Sequence, residues 1–173
     1  GLAGFQPVGA PLPPRPQLRS HQLTTPLPEW RFATPSEPDF EPLLALRIDV
    51  MREHLERVGR FEPSRARRIF RAHFDEPGLR LLIVDGVRAG CVGFRVEPDC
   101  IRIDSFYLER RLHNGRLGAA ILGALLAEAD ALGRPVRLDV LTGSKAARFY
   151  ERHGFVKLRE DEIEGAYERP VKA

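Results

Sequence analysis

Near the middle of the chain, Val84-Asp85-Gly86-Val87 stands between two largely apolar runs, residues 79–84 and 88–96. An Asp-Gly pair supplies two neighbouring residues that tolerate positive φ. That is the requirement of a tight hairpin whose twist matches its strands. The two runs are therefore read as antiparallel neighbours in one sheet. This excludes an all-helical chain and a sheet that is parallel throughout, and the remaining elements must cover the two faces of that hairpin.

Upstream, residues 30–33 read as a first short strand. Thr34-Pro35-Ser36-Glu37-Pro38-Asp39 is a turn and helix entry. With Asp39 as N-cap, Pro42 takes the third helical position, where its missing N–H loses no bond. The helix runs to about residue 58 and stops at Gly59, with Leu43, Leu46, Val50 and Leu55 on its apolar face. Ser64 caps a second helix to residue 74, buried through Ile69, Phe70 and Phe74. After the hairpin, Glu97-Pro98-Asp99 turns the chain into a strand at 101–108. Ile101 and Ile103 keep one alternation, Phe106 and Leu108 another. The slip at Asp104-Ser105 predicts a β-bulge. Residues 117–132 form the strongest helix, with Ile121, Leu122, Leu125, Leu126 and Leu132 inward and Gly133 as its stop. A strand at 135–141, a helix capped by Ser144 and closed by Gly154, and a final antiparallel pair at 155–159 and 163–169 complete the chain. The order β-α-α-β-β-β-α-β-α-β-β describes an α/β (mixed α+β) fold with a mixed, mostly antiparallel sheet of six or seven strands and about four helices. It is not a doubly wound parallel sheet, and no internal repeat is found.

Composition separates two materials. Of 15 prolines in the 173 residues, seven lie in residues 1–28. That stretch favours polyproline II or extended chain and cannot build a core. The reading is a proline-rich tail, 1–28, and one folded domain, 29–173. The tail is expected to dock on a groove of this or a second subunit, which makes a homodimer one expectation. The net charge is +3, and Arg15 and Arg19 are the only Asp, Glu, Lys or Arg residues of the tail, so the rest is nearly neutral. A nearly neutral domain lacks the broad basic footprint of a nucleic-acid binder. The longest apolar run, residues 117–127, falls well short of the ~20 residues a membrane span needs. No charged segment precedes an apolar core at the N-terminus, so no secretory leader is expected. The only Met is Met51 and residue 1 is Gly, which reads as a processed or engineered start. Cys91 and Cys100 do not make a disulfide framework, and the five histidines show no metal-ligand spacing. No metal is expected, and the compartment is read as reducing and cytoplasmic.

Two segments bear on chemistry. The first, residues 108–118, joins a buried strand to the start of the strongest helix. Backbone N–H groups and the macrodipole at a helix start form an anion site. Gly115 and Gly118 allow close approach, and Arg110, Arg111 and Arg116 add positive charge. A phosphate cradle and an ordinary strand-to-helix turn both fit this segment alone. The second, residues 144–155, carries Phe149-Tyr150 in a short helix, which by itself reads as core packing.

Together the two segments resemble the GNAT superfamily of N-acetyltransferases, over roughly residues 30–169. The family's loop Q/R-x-x-G-x-G/A falls on His113-Asn114-Gly115-Arg116-Leu117-Gly118. Its late segment N-x-x-A-x-x-F/L-Y-x-x-x-G-F matches Ser144, Ala147, Phe149-Tyr150, Gly154 and Phe155, with a one-residue difference in the aromatic register. His113 stands for Gln or Arg, Arg116 for Gly and Ser144 for Asn. Two outcomes are open for Arg116: its side chain clashes with the pyrophosphate, or Gly115, one place earlier, absorbs the unusual φ and Arg116 points outward or adds a phosphate contact.

The resemblance implies the GNAT fold with acetyl-CoA as cosubstrate. It further implies acetyl transfer to a primary amine of a small molecule or peptide, by direct attack through a tetrahedral intermediate. The implied cofactor contacts are Tyr107, Leu108, His113, Asn114, Gly115, Arg116, Leu117, Gly118, Ala119, Ser144 and Phe149. The Leu108 N–H would stabilise the oxyanion, and Tyr150 would act as general acid toward the thiolate. A lysine-like amine has a pKa near ~10.4 and must lose a proton to attack, so a base is useful. Asp104 is the preferred base, ahead of Glu97, Asp99 and Glu109. The first two helices would form the acceptor wall. Arg52, His54, Arg57, Arg60, Phe61 and Arg65 make it a basic rim suited to an anionic or zwitterionic amine, with His54 and Arg52 as substrate-binding residues. No membrane and no nucleic-acid partner is expected. One alternative is a non-catalytic GNAT domain that binds CoA or a protein partner as sensor or regulator. Another is an acetyltransferase acting on a macromolecule.

Overall fold

Asp85 and Gly86 adopt φ of +49° and +82°, and they join β2 (Leu79–Val84) to β3 (Val87–Val96) as an antiparallel pair. The structure, a computed structural model, describes residues 26–172. The tail reading, up to residue 25, and the dimer role expected of it lie outside the described residues. β1 (Trp30–Ala33) pairs with β2, and β4 (Ile101–Leu108) pairs with β3. β5 (Val136–Leu141) lies parallel to β4, followed by β7 (Glu164–Arg169) and β6 (Val156–Glu160) at the edge. The seven-stranded order is β1-β2-β3-β4-β5-β7-β6, antiparallel except at β4–β5. This is the mixed, mostly antiparallel architecture expected, with four helices among the described residues. None of them is long and apolar enough to cross a membrane.

The sheet has a core on each face. On one, α3 (Leu117–Ala131) buries Leu117, Ile121, Leu122, Leu125 and Leu126 against Leu82, Val92, Phe94, Ile101 and Ile103. On the other, α1 (Phe40–Arg57) and α2 (Pro63–Asp75) bury Phe40, Leu43, Leu44 and Phe70 against Leu79, Leu81 and Cys91. Burial of this size, at roughly 1.5–3 kcal/mol per large apolar side chain, dominates the stability of both layers. α4 (Ala146–Glu151) is short and sits after β5.

Several local expectations are corrected. Asp39 stands at the N-cap position of α1, with Pro42 third in the helix, but its side chain makes no capping bond, because its backbone is already helical within a 3₁₀ turn, Glu37–Asp39, that precedes α1. Its carboxylate instead accepts from the Ser36 N–H at 2.8 Å and from Arg88 at 2.7 Å. Ser64 is not the cap of α2. Glu62 is, because its longer side chain reaches the N–H groups of both Ser64 and Arg65. Ser144 does not cap α4 either. Its N–H closes a turn onto the Leu141 carbonyl, and its hydroxyl is turned inward without a partner. Leu132, at the C-cap of α3, and Ile69 of α2 are exposed rather than buried.

One polar staple ties the α2 face together. Arg95, 4% exposed, points from β3 into the sheet–helix layer. Its Nη1 donates to the Glu76 and Pro77 carbonyls and its Nη2 to the His73 carbonyl. Nε and Nη2 also hold both oxygens of Asp104, each at 3.1 Å. The space exists because residue 93 is Gly: a Cβ there would collide with the Asp104 carboxylate. Breaking a buried pair by removing one partner costs about 3–5 kcal/mol. Arg95→Met is expected to lose about that much stability in urea denaturation. Gly93→Ala should also be destabilising, because its Cβ displaces the same pair.

Candidate active site

β4 and β5 are paired only at Ile101–Val136 and Arg102–Arg137. Beyond that, the two strands diverge toward their C-terminal ends. The cause lies in β4. Ser105 takes φ +48°, and the register against β3 shifts between Cys91 and Gly93, as a bulge does. Before the bulge, Ile101 and Ile103 face α3 and Asp104 faces α2. After it, Phe106 and Leu108 take the α3 face and Tyr107 takes the α1–α2 face.

The opening on the α3 side is a cleft of about 920 Å³. Phe106, Leu108 and Leu112 line one wall, with His113, Asn114, Gly115 and Gly118 from the turn before α3. Gly143, Ser144, Lys145, Ala146, Arg148, Phe149, Tyr150 and Arg152 line the opposite wall. The Glu109 N–H bonds the Ala89 carbonyl at 3.0 Å. By the alternation of an antiparallel ladder, the N–H and C=O of Leu108 then point away from β3, to the open side. The Leu108 carbonyl is bonded by His113 Nε2 at 2.7 Å. A carbonyl only accepts, so Nε2 carries the hydrogen.

α3 starts at Leu117 with Arg116 as N-cap and no side-chain cap. Intrahelical bonding begins at the Ala120 N–H, so the N–H groups of Leu117, Gly118 and Ala119 are the orphan donors of this helix start. The Leu117 side chain is in the core, so it brings only its backbone to the site. The positive φ of this turn, +62°, falls on Asn114 and not on Gly115. A Cβ on Gly115 would meet nothing nearer than the Leu112 carbonyl at 3.9 Å. One on Gly118 would meet the Phe149 ring at 3.8 Å. Neither glycine is needed by the chain's own packing, and their missing side chains serve the cleft.

The charge of the cleft comes from residues that sequence reasoning missed. Arg110 is held by Asp49 of α1 at 2.8 Å and Arg111 by Glu109 at 2.9 Å, so neither faces the cleft as a free cation. Lys145, Arg148 and Arg152 line it instead, and no carboxylate among the described residues pairs with them. Their i, i+3, i+7 spacing puts them on one side of α4, a signal the sequence carried.

Tyr150 lies edge-on between Phe149 at 5.2 Å and Phe155 at 5.4 Å. Burial, with the neighbouring Tyr107, raises its phenol above the ordinary tyrosine range. It is neutral at physiological pH, as an unperturbed tyrosine is, and able to donate. Tyr107, expected at the cofactor, stands on the other face. Its hydroxyl accepts from Arg47 Nη1 at 3.0 Å and faces Met51 Sδ at 3.2 Å, and burial pushes its pKa up to about 12. A smaller cavity of about 190 Å³ opens beside it, lined by Arg47, Met51, Leu55, Arg60, Glu62, Arg65, Ala66, Ile69, Leu141, Ile163 and Glu164.

The remaining candidates lie outside both cavities. Asp104, the expected base, has both oxygens held by Arg95 and lines neither. Glu97 and Asp99, at the far end of β4, pair with Arg102 and Arg137. Arg52 is exposed, paired with Glu56 and 4.7 Å from the centre of the Phe61 ring. His54 is half-buried with Nδ1 unpartnered, and it lines neither cavity. Ala119 and Arg116 reach the cleft only through the helix start.

Comparison with known proteins agrees with this geometry. Residues 44–155 match the family model described as the acetyltransferase (GNAT) family. The fold is similar to the PaiA N-acetyltransferase from Thermoplasma acidophilum in complex with coenzyme A. That pair has a TM-score of 0.65 and 14% identity, covering 82% of this chain and 99% of that one. Ard1 from Thermoplasma volcanium aligns with a TM-score of 0.63 and 21% identity, over 83% and 99% of the two chains. An acetyltransferase from Thermus thermophilus gives 0.66 and 17%, over 85% and 100%. At these identities the likeness is one of fold. No curated protein matches the sequence.

The open space at residue 115 yields a test. Gly115→Val should leave the ligand-free unfolding midpoint within a few degrees of wild type, a change of about 0.5 kcal/mol or less. The same variant should lose binding of phosphate-bearing ligands in the cleft, measured by calorimetry.

Proposed function

We propose that this chain, which belongs to the GNAT acetyltransferase family, transfers the acetyl group of acetyl-CoA to a primary amine of a small molecule or peptide. The observation that carries this reading is the divergence of β4 from β5. It leaves the Leu108 N–H, the Tyr150 phenol and the uncapped start of α3 on one cleft. The residues present fit coenzyme A. Its phosphates are anionic, and they would be held by the N–H groups of Leu117, Gly118 and Ala119 on one side and by Lys145, Arg148 and Arg152 on the other.

Bound acetyl-CoA supplies the activated acyl group. The Leu108 N–H donates to the thioester oxygen and becomes a stronger partner as negative charge develops there. His113 occupies the Leu108 carbonyl, so the N–H is what that residue offers the ligand. Tyr150, held neutral, donates a proton to the departing sulfur. No carboxylate lines the cleft among the described residues. We assign Asp104 to the Arg95 staple and not to proton transfer. Glu164, on the smaller cavity, is suited to take the amine's proton. Burial and the nearby Asp139 and Asp161 raise its pKa above the usual carboxylate value, which makes it a better base.

Acetyl-CoA at about 100 times its Kd should stabilise the fold by ~2.7 kcal/mol, a rise in melting temperature of roughly 5–10 °C. Tyr150→Phe should keep that rise and lose at least about tenfold in kcat, measured by thiol release. Asp104→Asn should lower the melting temperature and leave the pH profile of kcat unmoved. A full thermal shift with no thiol release across a broad amine panel would replace the transferase reading with that of a CoA-binding sensor.

A further inference from the structure

Arg47 is the least expected residue of α1. It lies four positions after Leu43 and three after Leu44, in the helix's apolar stripe, and it is 7% exposed. Its Nη1 donates to the Tyr107 hydroxyl, and its guanidinium carbon stands 5.9 Å from the centre of that ring. Its Nε is buried without any hydrogen-bond partner, and no carboxylate among the described residues pairs with it. A buried charge is normally paired, because leaving it alone costs several kcal/mol. Arg47 also lines the 190 Å³ cavity.

The other charges on that cavity do not supply the missing anion. Glu62 lines it, but its two oxygens accept the Ser64 and Arg65 N–H groups at the start of α2. Glu164 is at the opposite wall, at the start of β7, and forms no pair with Arg47. Arg60 and Arg65 add two more cations at the rim. The cavity is therefore positive at the Arg47 end, which is also the end beside Tyr107 and, through it, Tyr150. Nε is shielded from solvent, whereas Nη2, on the same edge of the guanidinium, has no hydrogen bond among the described residues and is not fully shielded; that edge matches the two oxygens of a carboxylate.

We propose that the acceptor is a small amino acid-type amine whose carboxylate is bound by Arg47. This rests on the transferase reading above and names its substrate class. Arg47 lies beside the tyrosine pair where transfer would occur, so the carboxylate sits close to the reacting amine, as in an amino acid. Met51, Leu55, Ile69 and Leu141 supply an apolar wall for the rest of the molecule.

The test uses the full chain, acetyl-CoA, a panel of free amino acids and the carboxamide of each. Thiol release should give a kcat/KM at least tenfold higher for the best acid than for its amide. That preference would run against chemistry, because the less basic amine of the amide is more fully deprotonated. Arg47→Met should raise KM for the acid roughly 10- to 100-fold and leave the amide little changed. Arg47→Lys should recover part of it, and Arg65→Gln, at the rim, should weaken the acid by a smaller factor. Equal use of acid and amide, or an equal loss of both in Arg47→Met, would overturn the proposal. If no amine is acetylated, the transferase reading fails, and calorimetry with the free amino acids alone decides this one. Binding that Arg47→Met removes upholds the carboxylate site, and no binding overturns it.

Discussion

The geometry of the site depends on a single residue in the left-handed region, Ser105 at φ +48°. A non-glycine residue there costs on the order of 1–3 kcal/mol, which the surrounding ladder must hold in place. The consequence is a change of face. Ahead of Ser105 the even-numbered side chains of β4 point to α1 and α2, and after it Tyr107 does. A regular strand would have sent Phe106 to that side and Tyr107 to the cleft. The same bulge bends β4 away from β5, so ladder bonding stops after Arg102. One inserted residue therefore creates the cleft, orients Leu108 toward it, and sets Tyr107 and Tyr150 as neighbours across the sheet.

Arginines divide by partner. Arg95 holds Asp104 and three backbone carbonyls, Arg80 holds Glu128 with two bonds, and Arg169 holds Asp130 with two bonds. These bidentate, part-buried pairs join different elements, 48 and 39 residues apart for Arg80–Glu128 and Arg169–Asp130, and their carboxylates are structural. Exposed pairs such as Arg52–Glu56 contribute little to stability. Among the described residues, the cations that line the two cavities without a carboxylate partner are Lys145, Arg148 and Arg152 on the cleft, and Arg47, Arg60 and Arg65 on the smaller cavity, where only Arg47 is buried. In a chain with 27 Lys and Arg against 24 Asp and Glu, an unpaired cation in a concavity is better evidence of an anionic ligand than the net charge.

What was legible in the sequence is what local chemistry decides. Asp85-Gly86 needed only its own φ preferences. The bulge was visible as a slip between Ile103 and Phe106, because strand alternation is a property of neighbours. The turn from Leu108 to Gly118 and the Phe149-Tyr150 helix could be placed on one sheet by their resemblance to a family. Caps failed where two acceptors compete over a few residues: Glu62 displaced Ser64 through a longer reach. The engagement of Asp104 was not legible for a different reason. Its partner, Arg95, is nine residues away across a hairpin, and only the pairing register of β3 and β4 brings them together. The partner of Arg110 was hidden in the same way, since Asp49 reaches it from α1, whereas that of Arg111 is the local Glu109. The cations of α4 did carry a periodic signal, and so did Arg47, a charge within the stripe Leu43, Arg47, Met51.

The two cavities lie on opposite faces of the sheet, and on the proposed reading acyl donor and acceptor meet where β4 leaves β5. Tyr107 and Tyr150 occupy that gap, and burial raises the pKa of both. Each is then a neutral dipole at physiological pH, which matters on both sides. An ionised Tyr107 would neutralise Arg47 and repel an anionic acceptor. An ionised Tyr150 would have no proton for the departing sulfur. A tyrosine is protonated at physiological pH in any case, and desolvation by Phe70, Phe149 and Phe155 around these rings extends that state to higher pH. The apolar residues that build the two cores thus also widen the pH range over which the two hydroxyls in the gap stay neutral.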